Sequence, residues 1–317
     1  MSQNTTNSTA FIEATQYSQF ILENLHDGLL PDGFYRDVSD FGTGTTLNIK
    51  TVGVATLQDV TEDTPLDYNP IDTGTVTLTI TDYVGDAWYV TDILRQDGAQ
   101  IEQLMAMRGV EATRAIQEYF ETRYLAILNS AQTASNANNV NSFAHRLVAT
   151  GSNQTIELDD FNSMALAFNK ANVPQAGRVA LIDPVVEASL NKKFNTGYDV
   201  NRQPMFTDLL ENGFTRDHKF VINLFGWDIY TTNRLPTIAS ETIGSDTVTT
   251  GVANIFMSVL DDQTKPCMIA WRQPPKVENE RNKDYQRDEF LTTARWGVGT
   301  QRTDTLGVIL TDATALE

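Results

Sequence analysis

The chain has 317 residues, of which 41% are apolar, enough to form the packed core of one large domain or two smaller ones. Its formal net charge is −18, and its one cysteine, Cys267, excludes a disulfide framework within the chain and a cysteine-built metal site. No stretch reaches the roughly 18 consecutive apolar residues of a membrane span, and the N-terminus lacks a basic, apolar signal sequence. We therefore expect a soluble protein that is made in the cytosol.

The first part of the chain predicts an arm followed by a long hairpin. Residues 1–10 are rich in Asn, Ser and Thr and favour disorder, and residues 11–28 suit a weakly amphipathic helix. From Thr45 apolar and polar residues alternate, as they do again in TVTLTITDYV, which predicts two strands. The segment between them, DVTEDTPLDYNPID, holds five acids, two prolines and no base and is a polar loop. Because an isolated hairpin is marginally stable in water, we expect this one to lie on its own subunit or on a neighbour.

One long helix is predicted over residues 98–132. Asp97 stands three residues before Gln100, the spacing of a capping box. Apolar residues then recur with a helical period, and charged residues occupy most of the remaining faces. Some thirty residues give a rod of about 45 Å. A helix packed on a sheet fits better than a coiled coil, since Arg108 and Arg123 interrupt any strict heptad seam.

The rest of the chain predicts helices that give way to strands. After a polar loop at 130–142, a helix is expected from Asp159 or Asp160 to Ala171, then a short buried strand at 179–182 and a helix from Pro184 to Lys193. Residues 195–218 are irregular and polar. Further strands are predicted in VINLFGWDIYTTNRLP, NIFMSVL, CMIAW, FLTTARWGVGTQ and LGVILTD. The fold class is therefore α+β, with sheet predominating late in the chain.

Charge is distributed unevenly along the chain. Residues 1–100 contain three basic side chains against fifteen acidic ones, a field that repels phosphate. Residues 272–304 instead contain seven basic side chains against six acidic ones. One explanation of this uneven distribution is that the acidic and basic regions of the chain bind each other. The other is that both regions simply form a solvated, soluble surface.

Signatures of catalysis and of cofactor binding are missing from the sequence. His26, His145 and His218 stand in separate polar contexts without a second ligand at metal-binding spacing. Gly42 and Gly44 lack the third glycine of a dinucleotide loop, and no phosphate-binding lysine loop or serine elbow occurs. The acidic loop does not have the spacing of the known calcium loop. We therefore expect no enzyme, no cofactor and no metal site.

The order of these parts resembles the major capsid protein of tailed double-stranded DNA bacteriophages, whose fold is named after phage HK97. The resemblance covers nearly the whole chain and includes the stretches VPQAGRVALIDPVVEASL and GWDIYTTNRLP and the tail from WRQPPKVENERNKDY to TTARWGVGTQRTDTLGVIL. It implies an HK97-like α+β fold with an N-terminal arm, an extended hairpin, a spine helix in a peripheral domain and an axial domain. The implied bounds are 1–40 for the arm, 41–96 for the hairpin loop, 97–174 for the peripheral domain, 175–270 for the axial domain and 271–317 for the return strands of the peripheral domain.

The resemblance also implies a mechanism, which is assembly. Subunits would form pentamers and hexamers around their axial domains, with each hairpin reaching across a neighbour and each arm crossing other subunits, in a virion shell made in the host cytoplasm. Implied partners are the chain itself, a portal protein and packaged double-stranded DNA bound without sequence specificity. Either a separate scaffolding protein or a scaffold-free route is implied, and a decoration protein is a further candidate. We hypothesise that acids of the hairpin loop lie against basic side chains of an adjacent subunit; the acids are Asp59, Glu62, Asp63 and Asp67, and the first candidates among the bases are Arg281, Arg287 and Arg295.

Two departures from the best-known relatives and two alternatives stand beside this interpretation. The arm is too short to be a fused scaffold, and Lys50, the lysine of the hairpin, lies in a strand away from the loop tip, so no cross-linking chemistry is predicted from it. An encapsulin, a cellular nanocompartment shell of the same fold, is the nearest alternative. A β-rich decoration or tail protein of a virion is the second, and it would lack the spine helix.

Overall fold

A computed structural model describes residues 30, 33–40, 44–53, 55, 57–63, 65, 68, 70–98, 101–133, 136–196 and 220–314. The predicted helix at 11–28, Asp67, His26 and His218 lie outside the described residues. Within the described part of the chain, no helix is both long enough and apolar enough to cross a membrane.

The helices occupy the middle of the described chain, and strands predominate after them. The helices are α1 (Asp92–Asp97), α2 (Ile101–Ala131), α3 (Leu158–Lys170) and α4 (Pro184–Thr196), with a 3-10 turn at Ser152–Gln154. The strands are β1 (Arg36–Asp37), β2 (Thr46–Val52), β3 (Thr73–Thr79), β4 (Asp82–Thr91), β5 (Asn139–Val140), β6 (Phe143–Ala144), β7 (Arg146–Val148), β8 (Arg178–Ile182), β9 (Phe220–Leu224), β10 (Trp227–Thr231), β11 (Thr237–Ile238), β12 (Glu241–Ile243), β13 (Asp246–Val248), β14 (Gly251–Ser258), β15 (Cys267–Asn282), β16 (Arg287–Thr300) and β17 (Leu306–Asp312).

A four-stranded sheet carries the long helix α2. Its strand order is β1-β15-β16-β4, with β15, β16 and β4 antiparallel and β1 parallel to the start of β15. Ala294 and Trp296 of β16 face the helix, where the ring of Trp296 packs edge-on against Phe120 at 5.7 Å between centroids. Because successive side chains of a strand point to opposite faces, the residues between them point away from α2. Each large side chain buried in this layer contributes about 1.5–3 kcal/mol.

A seven-stranded sheet forms the second core. Its main order is β7-β17-β14-β8-β10-β9, and β11 pairs with β14. The central strand β8 is buried along its whole length, as expected for a short apolar run between two neighbours. Phe168 of α3, Trp227 and Phe256 pack edge to face above this sheet, with centroids 4.9 and 5.0 Å apart. These contacts fix α3 on the sheet.

Two arginines connect α2 to the surrounding elements. Arg146 of β7, nearly fully buried, donates to both carboxylate oxygens of Glu241 at 2.6 Å and to the Asn129 side chain of α2 at 2.9 Å. Arg234 donates to Glu121 at 2.8 Å and to Glu118 at 3.1 Å, so the loop after β10 is bound to the middle of α2. A bidentate arginine–carboxylate pair fixes orientation as well as distance.

Most local predictions after residue 97 are confirmed. The long helix, the helix from Asp159 or Asp160, the buried strand at 179–182 and the helix beginning at Pro184 all occur, with ends shifted by a few residues. The capping role predicted for Asp97 is wrong. Asp97 is the last residue of the short helix α1, whose first turn is capped by the Thr91 side chain.

Candidate assembly surface

Among the described residues, the hairpin of β2 and β3 packs on its own subunit at its base. Leu78 of β3 is fully buried with Met268 and Ala270 of β15, and the hairpin residues Leu47, Ile49 and Val76 and the nearby Val38 pack against this cluster. The base lies on the face of the four-stranded sheet that points away from α2. It can lie this close because β16 has glycine at 297 and 299: a Cβ at Gly297 would stand 2.7 Å from the Ile80 Cα atom, and one at Gly299 would stand 2.9 Å from the Leu78 side chain.

Beyond this base the hairpin exposes apolar side chains. Leu57 is 93% exposed and Val60 77%, and Val52, Tyr68 and Ile71 are exposed to a similar degree. Several exposed apolar side chains on one extended element favour a contact made with another chain. Because its own sheet covers only the base, the hairpin leaves this surface without a partner in its own subunit among the described residues.

The predicted acidic residues share that outer part of the hairpin. Asp59, Glu62 and Asp63 are all exposed, and Asp67 lies outside the described residues. Asp63 has a positive φ of 65°, which marks a turn at the tip. Lys50 lies in β2 and donates to the Thr75 hydroxyl at 3.0 Å across the hairpin, away from the tip.

A second exposed surface lies on the four-stranded sheet, on the same face as the hairpin base but farther along the strands. We call it the open face; its residues are Tyr83, Ala87 and Tyr89 of β4 and Leu291 of β16, with Arg287 and Arg295 of β16 in the same row. Tyr83 is 65% exposed, Tyr89 57% and Leu291 42%. The pairing of β4 with β16 has no register shift, so these side chains alternate with the ones that face α2.

The three predicted cations are not equivalent in the structure. Arg295 is half-buried on the open face beside Tyr83. Arg287 lies over the rings of Tyr89 and Tyr285, at 4.3 and 4.7 Å from their centroids, and also pairs with Glu289 at 2.7 Å. Arg281 instead lies on the side of the sheet that faces α2.

Arg281 is engaged by acids of its own chain. It donates two short hydrogen bonds to the Asp92 carboxylate and one of 3.2 Å to Asp288. The hydrogen bonds from Arg281 lower the pKa of Asp92, and the same bonds raise the pKa of Arg281 itself. The hydrogen bond from Arg287 likewise lowers the pKa of Glu289. The Arg281–Asp92 pair joins β15 to α1, and the Arg287–Glu289 pair is partly buried at the start of β16.

The open face was missed from the sequence, although a signal for it exists. In DYVGDAWYVT every second residue, from Tyr83 to Tyr89, is small or aromatic, and the alternation predicts a two-faced strand. Which face stays exposed depends on where α2 and the hairpin pack. Metal-ligand clusters of three or more His, Cys, Asp or Glu are absent from the described part of the chain.

A comparison with protein families shows which family the chain belongs to. A family model described as phage capsid protein matches residues 73–311, which is most of the chain. The chain belongs to the phage capsid protein family. It is a structural major capsid protein, and the match does not favour the nanocompartment or decoration-protein alternatives. No curated protein sequence matches it.

Solved structures show the fold of this capsid protein to be HK97-like. The bacteriophage PhiM1 mature capsid is 12% identical, with a TM-score of 0.71 and coverage of 98% of this chain and 95% of that one. The cyanophage P-SCSP1u capsid is 15% identical, with a TM-score of 0.70 and coverage of 95% and 93%. The Ralstonia phage GP4 capsid is 11% identical, with a TM-score of 0.66 and coverage of 100% and 99%. The fold is therefore shared along the whole chain at low sequence identity.

Proposed function

We propose that this capsid protein forms pentamers and hexamers that close into an icosahedral shell around double-stranded DNA, and that the hairpin of each subunit lies on the open face of a neighbour. The observation that supports this is the exposure of Leu57 and Val60 on an element whose base alone is buried. An extended hairpin that crosses to a neighbour buries surface that it does not bury on its own subunit.

The chemistry of the two surfaces is complementary. The hairpin tip combines exposed apolar residues with the acids Asp59, Glu62 and Asp63, and the open face combines exposed aromatic rings with Arg287 and Arg295. We assign the charged contact to these two arginines. Arg281 is not included, because it pairs with Asp92 and Asp288 of its own chain. Asp67 belongs to the same proposed contact on sequence grounds. Exposed pairs contribute only about 0–1 kcal/mol each, but a shell repeats them in every subunit.

The relation to DNA is one of enclosure. Cations of α1 and α2 are paired with acids of their own chain: Arg108 with Asp86 at 2.7 Å, and Arg95 with Asp288 at 2.8 Å. Together with the net charge of −18, this pairing supports a shell that encloses DNA without binding it tightly. A portal protein at one vertex, a separate scaffolding or decoration protein, and synthesis in the host cytoplasm are parts of the same proposal, which includes no catalytic role.

Charge reversal with rescue tests the proposed contact. Glu62→Lys with Asp63→Lys should reduce shell yield by tenfold or more, measured by sedimentation and negative-stain microscopy, while the monomer keeps its stability. Arg287→Glu with Arg295→Glu in the same chain should restore part of the yield, because the charges are exchanged across the contact. The control, Glu62→Gln with Asp63→Asn, should have an intermediate effect. An unchanged yield for the double lysine variant would overturn the proposed contact.

A further inference from the structure

The first half of α2 carries an apolar strip that no described element covers. None of the residues from Ile101 to Val110 is buried, whereas the helix from Ala112 onward has a buried side. Within that first half, Val110 is 72% exposed, Leu104 is 45% exposed and Met107 lies between them. Spacings of three residues place these three side chains along one side of the helix.

The same side of α2 receives the N-terminal part of the chain. Leu30, the first residue that the structure describes, donates its backbone N–H to the Glu121 carboxylate and packs against the core beneath α2. Val110 and Glu121 are eleven residues apart, about three helical turns, so they lie nearly in line and about 16 Å apart along the axis. Leu30 thus marks the start of the described chain on the side of α2 that carries Val110 and Met107.

The sequence before Leu30 has matching chemistry and sufficient length. Leu25 stands three residues after Leu22 and four after Ile21, the spacings that place side chains on one face of a helix, and Phe11 and Ile12 continue the apolar content upstream. The five residues from Leu25 to Leu30 can span at most about 17 Å, enough to bring Leu25 level with Val110. Residues further upstream can then reach Leu104.

We propose that residues 11–25 pack as an amphipathic helix on the apolar strip of α2 in their own subunit, formed by Leu104, Met107 and Val110. This goes beyond the proposed assembly contact and differs from the arm that the resemblance implies, which crosses other subunits, because it assigns residues 11–25 a docking site within their own subunit. An arm held there covers the part of the spine helix that the four-stranded sheet leaves exposed. Helix α2 would then position both the arm and the four-stranded sheet.

Disulfide trapping tests the proposal. Leu22→Cys is combined with Val110→Cys, and the control combines Leu22→Cys with Ser163→Cys, since Ser163 is exposed on α3, which packs on the opposite face of the seven-stranded sheet from α2. The native Cys267 does not compete, because burial raises the pKa of its thiol to about 12. The full chain is oxidised both as unassembled subunits and as shells, then analysed by non-reducing denaturing electrophoresis and mass spectrometry.

The expected result is a link within one chain, at the 35.2 kDa mass of the monomer, in at least tenfold higher yield than in the control. A product of twice that mass would place the arm on a neighbour. Equal yields in the test pair and the control pair would show that residues 11–25 do not pack on the strip. Either result overturns the proposal. Because the link is read within a single chain, it is independent of whether shells form.

Hydrogen exchange gives a second, independent reading. Val110→Asp should speed amide exchange in residues 11–25 at least tenfold, whereas Ser163→Asp, at an exposed position of α3, should leave it unchanged. Val110 is exposed, so the substitution is compatible with folding. Unchanged exchange in the Val110→Asp variant would overturn the proposal.

Discussion

In β3, the backbone of Thr79 crosses directly over Gly297 of β16, so that a side chain at position 297 would meet the Thr79 carbonyl oxygen. The hairpin therefore rests on the bare backbone of the strand that also supports α2. This contact sets where the hairpin leaves the sheet, and with it the position of the tip.

Substitution of Gly297 should disturb both stability and assembly. Gly297→Ala inserts a methyl group between two backbones, and we expect a loss of about 1–3 kcal/mol in the free energy of unfolding, measured in urea, together with fewer shells. Gly109→Ala is the matched control, since a Cβ there meets no atom within 4 Å. In mid-helix it should stabilise by about 0.5–1 kcal/mol. A Gly297→Ala protein with wild-type stability and normal shells would contradict the role of this crossing.

The apolar tip should matter to the shell and not to the subunit. Leu57→Ser with Val60→Ser should change the unfolding free energy by less than about 0.5 kcal/mol, because both side chains are exposed in the subunit. Shell yield, measured by sedimentation, should fall several-fold because the substitution removes the apolar part of the proposed contact. Leu166→Ser, at an exposed position on α3, is the control and should assemble normally. Equal shell yields in the tip variant and the control would argue against a contact at the tip.

The buried pair of Arg146 and Glu241 should make a large contribution that depends on both partners. Arg146→Met leaves the Glu241 carboxylate buried without its ion-pair partner, and we expect a loss of about 3–5 kcal/mol in urea unfolding. Arg146→Met with Glu241→Met should recover part of that loss. Glu278→Gln, which removes the exposed partner of Lys276, should cost no more than about 1 kcal/mol. If Arg146→Met matched this surface control, the assigned role of the pair would be wrong.

Stability should fall on mild acidification because of His145. Burial lowers the pKa of His145, whose ring stacks on Phe168 and whose Nε2 atom is buried without a hydrogen-bond partner among the described residues. The unfolded chain binds a proton near pH 6.5 and the folded chain does so only at lower pH. Stability is therefore retained above about pH 6.5 and decreases below it, by at most about 1.4 kcal/mol per pH unit.

The variant His145→Asn separates this effect from other acid effects. Between pH 7.5 and 5.5 the wild-type melting temperature should fall more than that of the variant, measured by calorimetry. His26 and His218 remain in both proteins and contribute equally to the two pH profiles. Parallel profiles would assign the acid sensitivity to other groups.

The sequence predicted the elements whose signals are local. Helix α3 begins at the acidic cluster of Glu157 and Asp160, which form a capping box, and β8 is a short apolar run before Pro184. The continuation of β15 through Pro274 and Pro275 was not predicted, because proline usually ends a strand. The structure accommodates both residues where β15 has passed β1 and is an edge, with one register shift just before them and a second that spans them.

The assembly surface was predicted only in part, for a physical reason. The acids of the hairpin loop are consecutive in sequence, so their exposure could be anticipated. The open face is formed by β4 and β16, two strands about 200 residues apart, and which of its sides is covered depends on contacts of α2 and of Leu78. The sequence likewise could not separate Arg281 from Arg287 and Arg295, because the opposite sides of the sheet on which they lie follow from strand register.

The position of the hairpin tip in an assembled shell tests the central claim most directly. The measurement is a cryo-electron microscopy reconstruction of the particles formed when the full chain is expressed, with its genomic neighbours where they are needed. We predict closed shells in which residues 53–72 lie on the open face of an adjacent subunit, with the tip acids near that subunit's Arg287 and Arg295. Discrete monomers or trimers, or shells whose hairpins lie on their own subunit, would contradict the account.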